Sequence, residues 1–195
     1  MKKNYEKELP QGYQEKRRVD FGNRKTGMIF NLIALLVAVV VAVPILLFLP
    51  KLDDNHVTLQ LLILVLGATA YTMLHEVVHG FAYKALTKQK LTFGLKWSCA
   101  FCGVPDIYVY RKTAIMSLLA PCIAFNVLLL PAVIALGIIG SPFYLSAGIM
   151  FALHIGGCVG DLYVTGLLLF KYRDKDLLIR DTGPEQYIYE KIEGK

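Results

Sequence analysis

Ionisable side chains inside an apolar run are expensive, so where several occur together they point to chemistry. The chain has four histidines, and two of them flank a glutamate in His75-Glu76-Val77-Val78-His79. Histidines four apart share one face of a helix, so both imidazoles can grip one ion. The glutamate, one residue along, falls beside that ion and can take a proton from water there. From the composition of this chain, chance produces the pattern about 0.003 times. The bland alternative is a pair of interfacial histidines with a glutamate anchoring the end of a span, and it leaves a costly carboxylate without a partner. The motif reads as a zinc (Zn2+) site with His75 and His79 as ligands and Glu76 as catalytic base. Gly80, which follows, leaves room for another backbone or a substrate to approach.

The elements that must carry these residues are apolar. The chain is 195 residues long, 55% hydrophobic and only 18% charged. Four stretches, roughly 28–49, 57–83, 113–141 and 142–170, contain no Lys or Arg. Each is long enough for a helix to cross the hydrocarbon layer, which takes about 20 residues. A soluble globule, a disordered chain and a secreted disulfide scaffold are excluded. The expected fold is an all-α membrane protein with four transmembrane helices, at about 28–49, 57–83, 113–139 and 142–170. A cytoplasmic loop at 84–112 alternates like a short β-hairpin, one strand around 91–97 and the other at 107–110. Residues 1–27 and 171–195 flank this four-helix domain as cytoplasmic segments. Asp53, Asp54 and Asn55 are good caps for the second helix, and Pro44, Pro121 and Pro131 are expected to bend theirs.

The net charge of +6 invites a nucleic-acid partner, but the positions of the cations say otherwise. Eight precede the first span, six lie in the loop and six follow the fourth span, leaving only Lys51 elsewhere. Retention of Lys and Arg on the inner side places both termini and the 84–112 loop in the cytoplasm. The partner implied is the lipid bilayer, with no nucleic acid.

Catalytic zinc takes three protein ligands and leaves one position open. The candidates for the third are Asp161, His154 and the cysteines. At 1.5 Å per residue, the midpoint of His75 and His79 lies about 30 Å along its helix, and Asp161 about 28 Å along the fourth. Both helices run inward, so these offsets bring Asp161 to the level of the two imidazoles. His154, about 18 Å along, falls short. Its readings are a hydrogen-bonded polar residue of the bundle, or a partner that supports the metal ligands or polarises substrate. Gly156, Gly157 and Gly160 fit either close helix packing or a locally unwound site. Cys99 and Cys102 read as free thiols, and Cys122 and Cys158 as small packing residues.

An HExxH helix, a further span, then an acid on a later helix is the order found in site-2 intramembrane zinc metalloproteases. More closely, the chain resembles a small bacterial family of four-span zincin peptidases, through His75-Glu76-Val77-Val78-His79-Gly80, the short β-like loop, Leu119-Ala120-Pro121 and Gly160-Asp161. The resemblance implies zinc held by His75, His79 and Asp161, with Glu76 as base, in a multi-pass protein of the bacterial cell membrane. Ile155, Cys158 and Leu162 stand where the proteases usually carry Asn, Pro and Gly, which leaves His154 or Asn126 to take up the supporting polar role. The expected function is a zinc-dependent intramembrane or membrane-associated metalloprotease acting on membrane proteins or peptides. A substrate segment would unwind and pair with the strand around 91–97. The alternative is a non-catalytic zinc-binding scaffold or adaptor; a metal transporter would need more polar residues along a path.

Overall fold

The structure, a computed structural model, describes residues 4–47, 57–173 and 175–192. Among the described residues, four helical runs are long and apolar enough to cross a membrane: α1 (Arg24–Leu47), α2 (Val57–Thr87), α3 (Arg111–Ile138) and the run Tyr144–Lys171. The last is composite, with α4 (Tyr144–Gly157), α5 (Val159–Gly166) and a π-helical turn (Leu167–Lys171). Their apolar flanks remain uncovered: Val40, Leu47, Phe81, Ile138 and Phe170 are 71% to 82% exposed. Such a surface is stable against lipid and not against water. The predicted capping loop at 51–56 lies outside the described residues. Gly140 adopts φ +64° between α3 and α4, where a side chain would be strained.

The all-α expectation needs correction, because among the described residues seven strands form two sheets. A five-stranded antiparallel sheet has the order β1 (Tyr5–Glu6), β5 (Tyr108–Tyr110), β6 (Leu177–Asp181), β7 (Glu185–Lys191), β2 (Tyr13–Asp20). It joins the two flanking segments to the middle of the chain. Charge conceals it in the sequence: β2 reads Tyr-Gln-Glu-Lys-Arg-Arg-Val-Asp, and only Val19 of it is buried. The predicted hairpin also pairs differently. β3 (Thr92–Lys96) turns at 97–98 into β4 (Cys99–Gly103), while Tyr108–Tyr110 leaves for the larger sheet.

That sheet closes one end of the helix bundle. Its inner face, with Val109, Ile179 and Ile188, packs on Tyr83 of α2, Leu118 of α3 and Leu168 of the π-helical turn. Arg111 at the start of α3 donates to the carbonyls of Tyr172 and Arg173, so carbonyls left open at the end of the fourth run find a partner. The start of α1, the end of α2, the start of α3 and the end of the π-helical turn therefore share one capped end, and the HExxH residues lie beneath the cap.

Candidate metal centre

Along α2, Tyr71, His75, His79, Tyr83 and Thr87 recur every four residues and make one stripe. His75 and His79 are each 7% exposed, and Tyr83 and Thr87 are buried still more fully. Against this stripe α5 brings Asp161, in its first turn. The Nε2 atoms of His75 and His79 lie 3.2 and 3.4 Å from the same atom, Oδ2 of Asp161. The three donors fall within 4.8 Å of one another. A tetrahedral zinc ion with bonds of about 2.05 Å sets neighbouring donors about 3.3 Å apart, so this set fits one ion with a fourth direction left open.

The far side of each imidazole is also held. His79 Nδ1 donates to the backbone carbonyl of Ser117 at 2.8 Å. Ser117 stands four residues before Pro121, and proline has no N–H, so this carbonyl lacks its usual helical donor and is free for the histidine. With the proton on Nδ1, the lone pair of Nε2 points at Asp161, as a metal ligand requires. His75 Nδ1 meets the hydroxyl of Tyr71 at 2.9 Å.

Glu76 faces a cavity of about 180 Å³ that it shares with His75, His79 and Asp161. Cys102 of β4 lines the same cavity as Glu76. Cys102 is paired with Phe93 on its other side, so the free edge of β4, and not that of β3, borders the cavity. Opposite stand Phe30, Asn31 and Ala34 of α1. Gly80 works as its position suggests: a Cβ there would meet Phe93 at 2.6 Å and Cys102 at 3.2 Å, so its absence lets the hairpin close on α2.

His154 and Asn126 do not border this cavity. His154 is fully buried, with Nδ1 3.0 Å from the Tyr71 hydroxyl and Nε2 3.3 Å from the Asn126 amide. Asn126 donates to the carbonyl of Cys122 at 2.7 Å. His154 thus lies behind His75, hydrogen-bonded within the bundle and away from the cavity. Gly156 serves packing, since a Cβ there would come 2.5 Å from the Ala34 carbonyl of α1. The helix is interrupted only at Cys158, whose N–H still bonds to the His154 carbonyl at 3.1 Å. Cys99 and Cys102 lie three apart in a strand, which puts them on opposite faces with Cα atoms about 10 Å apart, beyond the reach of a disulfide. Burial pushes the Cys102 thiol up to about 12.

Several residues of the site escape sequence reasoning. Tyr71 was legible in principle, four residues before His75. Asp181 and Gln186, from β6 and β7, complete the cavity wall and carry no local signal. Asp181 accepts from Tyr83 at 2.6 Å and from the Gly183 N–H at 2.8 Å. Burial still raises its carboxyl to about 6 against these donors.

A family described as putative zincin peptidase matches the chain over residues 68–175. The chain belongs to this family. The matched segment runs from within α2 past the π-helical turn and holds the HExxH motif, Asn126, His154 and Asp161. It leaves out α1, β1, β2, β6 and β7. The family name points to a metal-dependent peptidase, and the donor set found here has the chemistry that name requires. Neither the curated proteins nor the solved structures contain a match to the chain.

Proposed function

We propose that the chain is a zinc-dependent metallopeptidase of the cell membrane, in which His75, His79 and Asp161 hold the ion and Glu76 is the general base. One observation carries this reading: two imidazole Nε2 atoms converge on one carboxylate oxygen in a cavity that also contains the HExxH glutamate. Zinc bound there would supply Lewis acidity, polarising a peptide carbonyl and bringing the pKa of water towards about 7.

The chain's own groups account for the rest. Glu76, beside β4 in the shared cavity, takes a proton from water as the new C–O bond forms at the peptide carbon. It returns that proton to the departing amine nitrogen as the C–N bond breaks. The carbonyls and amides at the free edge of β4 offer an extended segment strand-like hydrogen bonds beside Glu76. A helical substrate hides its peptide bonds and must unwind to use that edge.

On this reading the four helices cross a bacterial cell membrane in the manner of site-2 intramembrane proteases. Both flanking segments and the sheet lie in the cytoplasm, a placement that the cation distribution supports. The substrates are membrane proteins or peptides. Glu76→Gln in purified protein should keep its zinc while hydrolysis of a panel of single-span membrane proteins and unfolded peptides falls by about 10²- to 10⁴-fold. Undiminished turnover contradicts the mechanism. Zinc binding without hydrolysis by the unaltered protein across the panel would favour a scaffold instead.

A further inference from the structure

A second pocket, of about 510 Å³, lies outside the metal centre, where the edge strand β2 meets α1 and α5. A register shift between Glu15 and Arg17 brings Arg17 opposite Ile188, on the inner face of the sheet. Val19, next on that face, is buried, whereas Arg17 carries its charge to the rim of the apolar bundle. Its guanidinium donates to the Tyr163 hydroxyl of α5 at 2.6 Å, which uses one of five N–H donors. Lys25, at the start of α1, lines the same pocket. Among the described residues, no carboxylate forms an ion pair with either cation.

The other polar groups of the pocket are already engaged. Asp20 is held by Arg18 at 3.3 Å and accepts from the Asn23 N–H at 2.9 Å. Arg18 also pairs with Glu185 at 2.8 Å, so it offers the pocket little free charge. Asn23 Oδ1 accepts from the N–H groups of Lys25 and Thr26, so the first turn of α1 is capped. Below the cations the lining turns apolar: Phe30 and Tyr163 stack edge-on, with centroids 5.1 Å apart. Lys25, Ile29 and Ile33 follow one another at helical spacing, and Ile29 and Ile33 are 58% and 40% exposed. They belong to the uncovered flank that suits lipid. A soluble anion could use the two cations alone, but only a lipid uses both the cations and the apolar track beneath them.

We propose that this pocket binds the phosphate headgroup of an anionic phospholipid through Arg17 and Lys25, with the acyl chains lying along Ile29 and Ile33 of α1. Cations beside a membrane helix attract such headgroups, and the planar guanidinium matches phosphate oxygens with its remaining N–H groups. The bound lipid would brace β2 and α1 against α5, where Tyr163 stands two residues after Asp161. Phe30 borders both this pocket and the metal cavity. The site needs no metal and stands apart from the peptidase reading.

The test uses the full chain, purified in a neutral detergent and stripped of lipid. It is titrated with phosphatidylglycerol, phosphatidylcholine, glycerol 3-phosphate or a soluble acidic peptide, and read by thermal unfolding and by native mass spectrometry. Phosphatidylglycerol should raise the unfolding temperature and leave one retained lipid per chain. Phosphatidylcholine, whose headgroup has no net charge, and the two soluble anions should do neither. Arg17→Gln combined with Lys25→Gln should weaken phosphatidylglycerol binding by about tenfold or more. Lys90→Gln combined with Lys191→Gln removes the same charge from exposed positions that do not line the pocket, and should change binding little. Equal losses in the two double variants mark diffuse attraction and overturn the proposal. An equal response to phosphatidylcholine overturns it too, as does equally tight binding of glycerol 3-phosphate or of the acidic peptide. Should loss of Arg17 keep the chain from folding, Lys25→Gln and Lys25→Glu read the same claim at an exposed position. Affinity should fall in that order, and unaltered affinity in either variant overturns the proposal.

Discussion

Each histidine of the HExxH motif presents one nitrogen to Asp161 and has the other occupied by a partner that the sequence does not announce. For His79 that partner is a backbone carbonyl released by a proline four residues later. Pro121→Ala restores an N–H that competes for the Ser117 carbonyl. The substitution should strengthen α3 locally, because proline is the poorest residue in a helix interior, and should weaken zinc binding by up to about tenfold. Calorimetric titration with zinc reads the affinity and thermal unfolding the helix, and equal or tighter binding removes the carbonyl from the account. The convergence of the three side chains was legible: the motif names two, and helix rise brings Asp161 to their level. What stayed hidden were partners whose role depends on contacts between helices. Tyr71 is aromatic in an apolar run and looks like packing, and Ser117 contributes only a carbonyl, which no side-chain pattern marks.

At the scale of elements, the site is a meeting of α2 and α5 beneath the β3–β4 hairpin, with α1 as the outer wall. Close approach of α1 and α4 depends on Gly156, where added bulk would strike backbone rather than a side chain that can move aside. Gly156→Ala should therefore destabilise the bundle by about 1–3 kcal/mol. A thermal-unfolding shift in detergent measures this, and wild-type stability would show that the two helices separate without cost. The four apolar runs were readable to within a few residues because lipid imposes length and excludes charge. The hairpin was readable as β structure but not in its pairing. Gly103-Val104-Pro105-Asp106 resembles the turn of a hairpin, whereas the chain turns at 97–98 and uses the later segment to reach the larger sheet.

For the whole molecule, the finding least visible in the sequence is the five-stranded sheet that ties both ends of the chain over the site. Its strands β2 and β7 are separated by about 165 residues and carry mostly polar side chains, so neither periodicity nor composition brings them together. The sheet has an energetic signature in Asp181. Burial raises its carboxyl from 3.8 to about 6 in the folded protein, so the folded chain holds this proton more tightly than the unfolded one. Stability from this group is present below about pH 4 and is lost as pH rises to about 6, a change of about 3 kcal/mol, beyond which it is constant. Asp181→Asn should flatten that slope. Unfolding of both proteins across pH 4 to 7 provides the comparison, and parallel curves would show that Asp181 does not titrate in this range.

The central claim is that His75, His79 and Asp161 grip a single ion. Zinc content and affinity of the purified chain, compared with His79→Ala, Asp161→Ala and Glu76→Gln, test it most directly. One zinc ion per chain is expected in the unaltered protein and in Glu76→Gln, with affinity falling by about a hundredfold or more in each of the other two. If Asp161→Ala binds zinc as tightly as the unaltered protein, the third ligand has been misassigned and the account of the site is wrong.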